Sequence, residues 1–213
     1  MDTAMHREET NRAIRRTALF FSFLTHPLLV PLAAVVLLFF GGTYLVYLPP
    51  AMKRFDLTLV FLNTILIPLF YMHIFRRTGL ITSYYLPSRR ERLLPIALYT
   101  LLLLVTWFLL RRARQPSFLT GLFLAFTVTS ALTWLITLRR KISLHLAGLG
   151  SLSALLLAAT LRLSPHFIIF WLLSLLLAGL TATARLLLQH HTPTEVYSAF
   201  LLAFLTTILL LLF

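Results

Sequence analysis

The chain has 213 residues, of which 59% are hydrophobic and 12% charged, with 19 Lys and Arg against 6 Asp and Glu and no cysteine. Soluble domains run at about 45–50% apolar and about 25% charged, so this composition excludes a water-soluble globule. The lack of cysteine excludes a disulfide framework, a thiolate nucleophile and a Cys-ligated metal.

Crossing about 30 Å of hydrocarbon takes about 20 predominantly apolar residues. Residues 1–17 read as a basic N-terminal segment, with Arg12, Arg15 and Arg16, and 18–213 as one transmembrane domain. The apolar runs in chain order are 18–40, 57–75, 93–110, 117–138, 144–161, 166–184 and 196–213. The first follows an Arg cluster like a signal peptide, but it is too long and no small-residue cleavage site follows, so it reads as retained. Pro27 and Pro31 interrupt it and Pro68 interrupts the second, which predicts kinks there. The expected fold is all-α, a polytopic transmembrane helical bundle of six or seven spans.

With seven spans, one side of the membrane carries 13 of the 19 cations, in the N-terminus and the turns at 76–92, 139–141 and 185–195. Seven of those 13, Arg89, Arg90, Arg92, Arg139, Arg140, Lys141 and Arg185, lie in or directly beside three polar clusters at helix mouths, and without them the sides are equal, so the charge count leaves orientation open. All but two of the 19 are Arg. They sit in short turns rather than on a soluble face, which argues against nucleic acid and for anionic headgroups as the partner. Arg favours bidentate recognition of phosphate.

The three clusters lie on that same side. Ser88-Arg89-Arg90-Glu91-Arg92 enters the third run, and Arg89 and Arg92 are three apart, hence on one helical face. Lys141-Ile142-Ser143-Leu144-His145 enters the fifth, followed by Ala147, Gly148 and Gly150, which let a neighbouring helix come close. Arg185, His191 and Glu195 straddle the last turn. Ionisable groups at helix mouths in so apolar a chain are costly and mark function. Thr192-Pro193-Thr194-Glu195 is also a capping box, so Glu195 has a structural role to weigh against a catalytic one. Arg111, Arg112 and Arg114 read as headgroup anchors, and Trp107, Trp134, Trp171, Tyr84 and Tyr85 as interfacial residues.

The third cluster, Arg185, five residues, His191, three residues, Glu195, resembles the third signature of the type 2 phosphatidic acid phosphatase superfamily. Ser143-Leu144-His145 resembles its Pro-Ser-Gly-His signature. With His26-Pro27-Leu28-Leu29-Val30-Pro31 and His191-Thr192-Pro193, the chain is similar to a small bacterial branch of that superfamily, from about residue 25 to the end. The resemblance implies an integral membrane phosphatase of a bacterial inner membrane. His191 would be the nucleophile, Glu195 its carboxylate partner and His145 the general acid. Arg185, Ser143, Arg92 and Arg89 would bind phosphate, with no metal or other cofactor.

The implied substrate is a phosphorylated membrane lipid: phosphatidic acid, a polyprenyl diphosphate or a glycolipid phosphate. The chain departs from the family pattern at Ile142, Leu144, Ala184 and Glu195, and lacks the first signature's Lys, six residues, Arg-Pro. Arg89 and Arg92 ahead of Pro95 are the nearest equivalent. The same basic cup also suits an inactive protein that binds or flips lipid phosphates.

Overall fold

The computed structural model describes residues 16–189 and 191–213. All but the last two residues of the basic segment 1–17 lie outside them. The described chain is all-helical. Helix α1 occupies 16–24, α2 Val30–Phe40, α3 Pro50–Arg77, α4 Arg89–Arg112, α5 Ser117–Thr137, α6 Leu144–Arg162, α7 Phe167–Leu187 and α8 Pro193–Leu212. The six from α3 to α8 are long and apolar enough to cross a membrane, the architecture of an integral membrane protein.

The seventh candidate, 18–40, is not one span but two helices joined by an elbow at 25–29. Pro27 disfavours the helical conformation for His26 before it, and Pro31 sits in the first turn of α2, where its missing N–H is harmless. The elbow is fastened by three contacts: Thr181 donates to Thr25 Oγ1 at 3.1 Å, His145 Nε2 meets the Ser22 carbonyl at 3.0 Å, and Pro27 packs on Gly148. At its other end α2 reaches Phe167, which lies against Gly41. Its 11 residues measure about 16 Å at 1.5 Å per residue, short of a full crossing.

Helix α6 is the most buried span and packs against α2, α5, α7 and α8. Gly150 explains the closeness of α8: a Cβ there would stand 2.4 Å from the Phe200 carbonyl oxygen, so only glycine permits the approach. Helix α3 takes one π turn at Leu62–Leu66 just before Pro68, whose absent N–H breaks the regular ladder. Asn63 in that turn donates to Thr106 Oγ1 at 3.0 Å and ties α3 to α4. These packings bring the start of α4, the end of α5, the start of α6, the end of α7 and the start of α8 to one end of the bundle.

Candidate active site

Between the elbow and helices α3 to α7 lies a cavity of about 550 Å³, and its lining includes Arg92, His145, Arg185 and His191. It is of the size and character of small-molecule sites, mostly apolar with a few convergent polar groups. Its arginines and His145 and His191 sit at the end of the bundle where the helix starts meet, while hydroxyls such as those of Tyr99, Ser130 and Ser151 line it further in. Deeper lining comes from residues such as Leu103 and Phe126.

Each polar side chain arrives by a traceable local cause. Ser88 caps α4 by accepting from the Glu91 N–H, and Arg92 follows within the first turn. Arg92 is 4% exposed and spends Nε on the Leu86 carbonyl at 2.8 Å and Nη1 on the Ile142 carbonyl at 3.1 Å. That leaves it three of its five donors. Leu86 presents its carbonyl from a left-handed turn, φ 49°, which few non-glycine residues adopt. Arg185, on the last turn of α7, is 7% exposed, and its Nε has no hydrogen-bond partner among the described residues. A buried guanidinium with an unfilled donor is costly in this setting unless an anion completes it.

His191 lies in the turn before α8, 8% exposed, with Nδ1 at 2.7 Å from Glu195 Oε2. A carboxylate accepts, so Nδ1 carries the proton and Nε2 a lone pair. The same Oε2 is 3.4 Å from the Thr192 N–H, and Thr192 Oγ1 accepts from the Glu195 N–H. The capping box and the histidine partner are thus one side chain in both roles. Burial pushes the His191 imidazole down from its usual value to about 4; the Glu195 hydrogen bond opposes this, and Arg185, Arg92 and Lys141 reinforce it. The neutral form prevails at ordinary pH.

His145 opens α6, and since its Nε2 faces a carbonyl, which can only accept, Nε2 is protonated and Nδ1 is the nitrogen free to exchange a proton. The Ser143 N–H donates to the Glu195 carbonyl at 3.2 Å, which sets the start of α6 beside the start of α8. Two helix N-termini then face the same region, a favourable setting for an anion.

Four of the seven expected site residues line the cavity, and Glu195 acts on it through His191. Ser143 does not line it: its hydroxyl is fully buried and has no partner among the described residues. Arg89 turns away and donates to the Leu138 carbonyl at 2.7 Å, holding the end of α5. Tyr84 and Tyr85, read as interfacial, join the lining, as do Ser22 and His26 of the first broken run. The signal for His26 was present as a histidine beside a helix-breaking proline. Among the described residues no group of three or more His, Asp or Glu side chains is arranged to hold a metal ion.

Comparison with protein-family models, with curated proteins and with solved structures finds no match to this chain. The functional reading therefore rests on the residues and their geometry.

Proposed function

We propose that the protein is a membrane-embedded phosphatase that removes a terminal phosphate from a lipid by way of a phosphohistidine. The observation that carries this reading is the meeting, in one cavity, of a buried arginine with an unfilled Nε and a neutral histidine whose Nδ1–H is held by a carboxylate. The first is a guanidinium with an N–H suited to a phosphoryl oxygen. The second is an oriented nucleophile.

Arg185 and Arg92 bind the phosphoryl oxygens and offset the charge spread over them in the transition state. The His191 Nε2 lone pair attacks phosphorus as the bond to the lipid oxygen breaks, and Glu195 stabilises the imidazolium that forms. His145 enters as imidazolium, favoured by the substrate's own negative charge, and Nδ1–H gives its proton to the departing oxygen. Water then attacks the phosphohistidine, His145 Nδ1 takes the water's proton, and inorganic phosphate leaves with His191 neutral again. Phosphatidic acid, a polyprenyl diphosphate or a glycolipid phosphate each joins a phosphate for the basic mouth to a chain for the apolar interior. By its resemblance to a bacterial branch we place the protein in a bacterial inner membrane.

The test is phosphate release from a panel of lipid phosphates by protein in detergent micelles with a chelator present. Release is expected from the wild type and is expected to be lost in His191→Ala. Undiminished turnover by that variant would overturn the mechanism. Lipid-phosphate binding that survives in His191→Ala and vanishes in Arg185→Ala, with no release by either or by the wild type, would favour the binding or flipping protein.

A further inference from the structure

The phosphohistidine mechanism leaves one cavity-lining histidine unused. His26 stands in the elbow between α1 and α2, in the same lining as Arg92, Arg185, His145 and His191. Its ring meets the His145 ring edge-on, with centroids 5.5 Å apart and planes at 79°. Its Nδ1 is 3.3 Å from the Leu28 N–H.

That contact decides the tautomer. A backbone N–H can only donate, so Nδ1 must hold a lone pair and the proton must sit on Nε2. His145 is the other way round, with its proton on the nitrogen that meets the Ser22 carbonyl. Two adjoining rings therefore differ in what remains for the cavity: from His26 an N–H donor, from His145 a nitrogen able to take or give a proton. The elbow fixes the His26 ring in place, since Thr181 holds Thr25 on one side and Gly148 abuts Pro27 on the other. Burial and the nearby Arg185 guanidinium hold this imidazole below its ordinary value, consistent with a neutral ring.

We propose that His26 is a further phosphate-binding residue, a neutral donor whose Nε2–H bonds a phosphoryl oxygen on the side where His145 meets the leaving group. With Arg92, Arg185 and the His145 imidazolium already facing the substrate, a fourth cation on His26 would add repulsion to a buried site, whereas a neutral N–H adds a hydrogen bond without charge. His26 does not transfer a proton, because losing Nε2–H while Nδ1 accepts from Leu28 would leave an imidazolate. It binds and orients. The proposal rests on the phosphate-site reading, but not on turnover.

The experiment measures binding of inorganic phosphate to the detergent-purified protein by calorimetry, for wild type, His26→Gln and His26→Phe, alongside lipid-phosphate hydrolysis by the wild type. Gln carries an amide N–H close to the position of Nε2, and Phe keeps the ring against His145 without a donor. Binding within about threefold of wild type is expected for His26→Gln, and weakening of about tenfold or more for His26→Phe, the scale of one hydrogen bond to a charged group. If His26→Phe does not fold, His26→Met takes its place and is read in the same way. Phosphate binding by the donor-free variant as tight as by wild type overturns the proposal. Equal weakening in His26→Gln and His26→Phe also overturns it, since packing and not the N–H would then matter. A wild type that binds no phosphate overturns it together with the phosphate-site reading. If phosphate binds and the two variants split as expected while no lipid phosphate is hydrolysed, the enzyme reading falls and the His26 proposal stands.

Discussion

The two ends of the bundle carry the same residue type and put it to different use. At the end away from the cavity, Arg111, Arg112, Arg114 and Arg162 are all exposed. Arg111 lies over the Trp107 ring at 5.5 Å, and Arg162 reaches the Leu212 carbonyl at the end of α8. At the other end Arg92 and Arg185 are buried, one secured by two carbonyls and the other with an unfilled donor. An exposed arginine satisfies its donors with water and headgroups at little cost, so its presence requires no ligand. A buried one has given up that solvation and must recover it from partners. Charge count alone therefore does not locate a site here; burial, unfilled donors and a neighbouring oriented histidine do.

Removal of the buried guanidinium should have the largest effect on turnover. Arg185→Ala is expected to lower kcat/KM for a lipid phosphate by about a thousandfold, the scale seen when one donor to a developing charge is deleted. Arg185→Lys should recover only part of this, because an ammonium restores charge without the planar fork. A loss under about tenfold for Arg185→Ala would mean that the unfilled Nε does not face the phosphate.

Burial of His191 among the arginines should also show in the response to pH. The folded state lowers the His191 value from 6.5 to about 4, so protonation favours the unfolded chain. The stability from this group is complete above pH 6.5, declines as pH falls from 6.5 towards 4, and is fully lost below that. In the same way the acid limb of kcat/KM, set by His191, should lie near pH 4, with a fall of about tenfold per unit below it as the nucleophile is protonated, while the need for a protonated His145 sets a separate limb on the alkaline side. Glu195→Gln removes the hydrogen bond that raises the His191 value, so its acid limb should move to still lower pH while the rate falls about tenfold to a hundredfold. An acid limb near 6.5 in the wild type would place His191 in water and not among the arginines.

The limits of reading this site from sequence follow from which contacts are local. The six spans were legible because apolar length alone dictates them, and Pro27 and Pro31 marked where the first run breaks. The pairing of His191 with Glu195 was legible through the resemblance of the Arg185, His191, Glu195 spacing to the phosphatase signature, and the capping box from its own four residues; that one oxygen serves both was not, because His191 lies in the turn before α8 and not on the helix. Arg89 and Arg92 are about 60° apart around a helix turning about 100° per residue. That angle suffices to send Arg92 into the cavity and Arg89 onto Leu138. His26 stood out as a histidine beside a proline, but neither it nor Ser22 could be placed at the cavity from the sequence. Their place depends on where the elbow lands against α6 and α7, more than a hundred residues away in the chain, and no local spacing encodes that.

The smallest expected effect is the most telling for the comparison. Replacing Arg111, Arg112 and Arg114 together by Ala removes three cations, more charge than any single change at the cavity. If the summed basic charge drew and held the substrate, this variant would suffer more than Arg185→Ala. Because none of the three is buried, it is expected instead to retain turnover within about twofold, and to lose at most about 1 kcal/mol of stability as the Trp107 contact and weak surface interactions go. Steady-state hydrolysis and thermal unfolding of this triple variant, set beside Arg185→Ala, separate summed charge from burial as the origin of the site. A triple variant as inactive as Arg185→Ala would show that charge, not burial, makes the site.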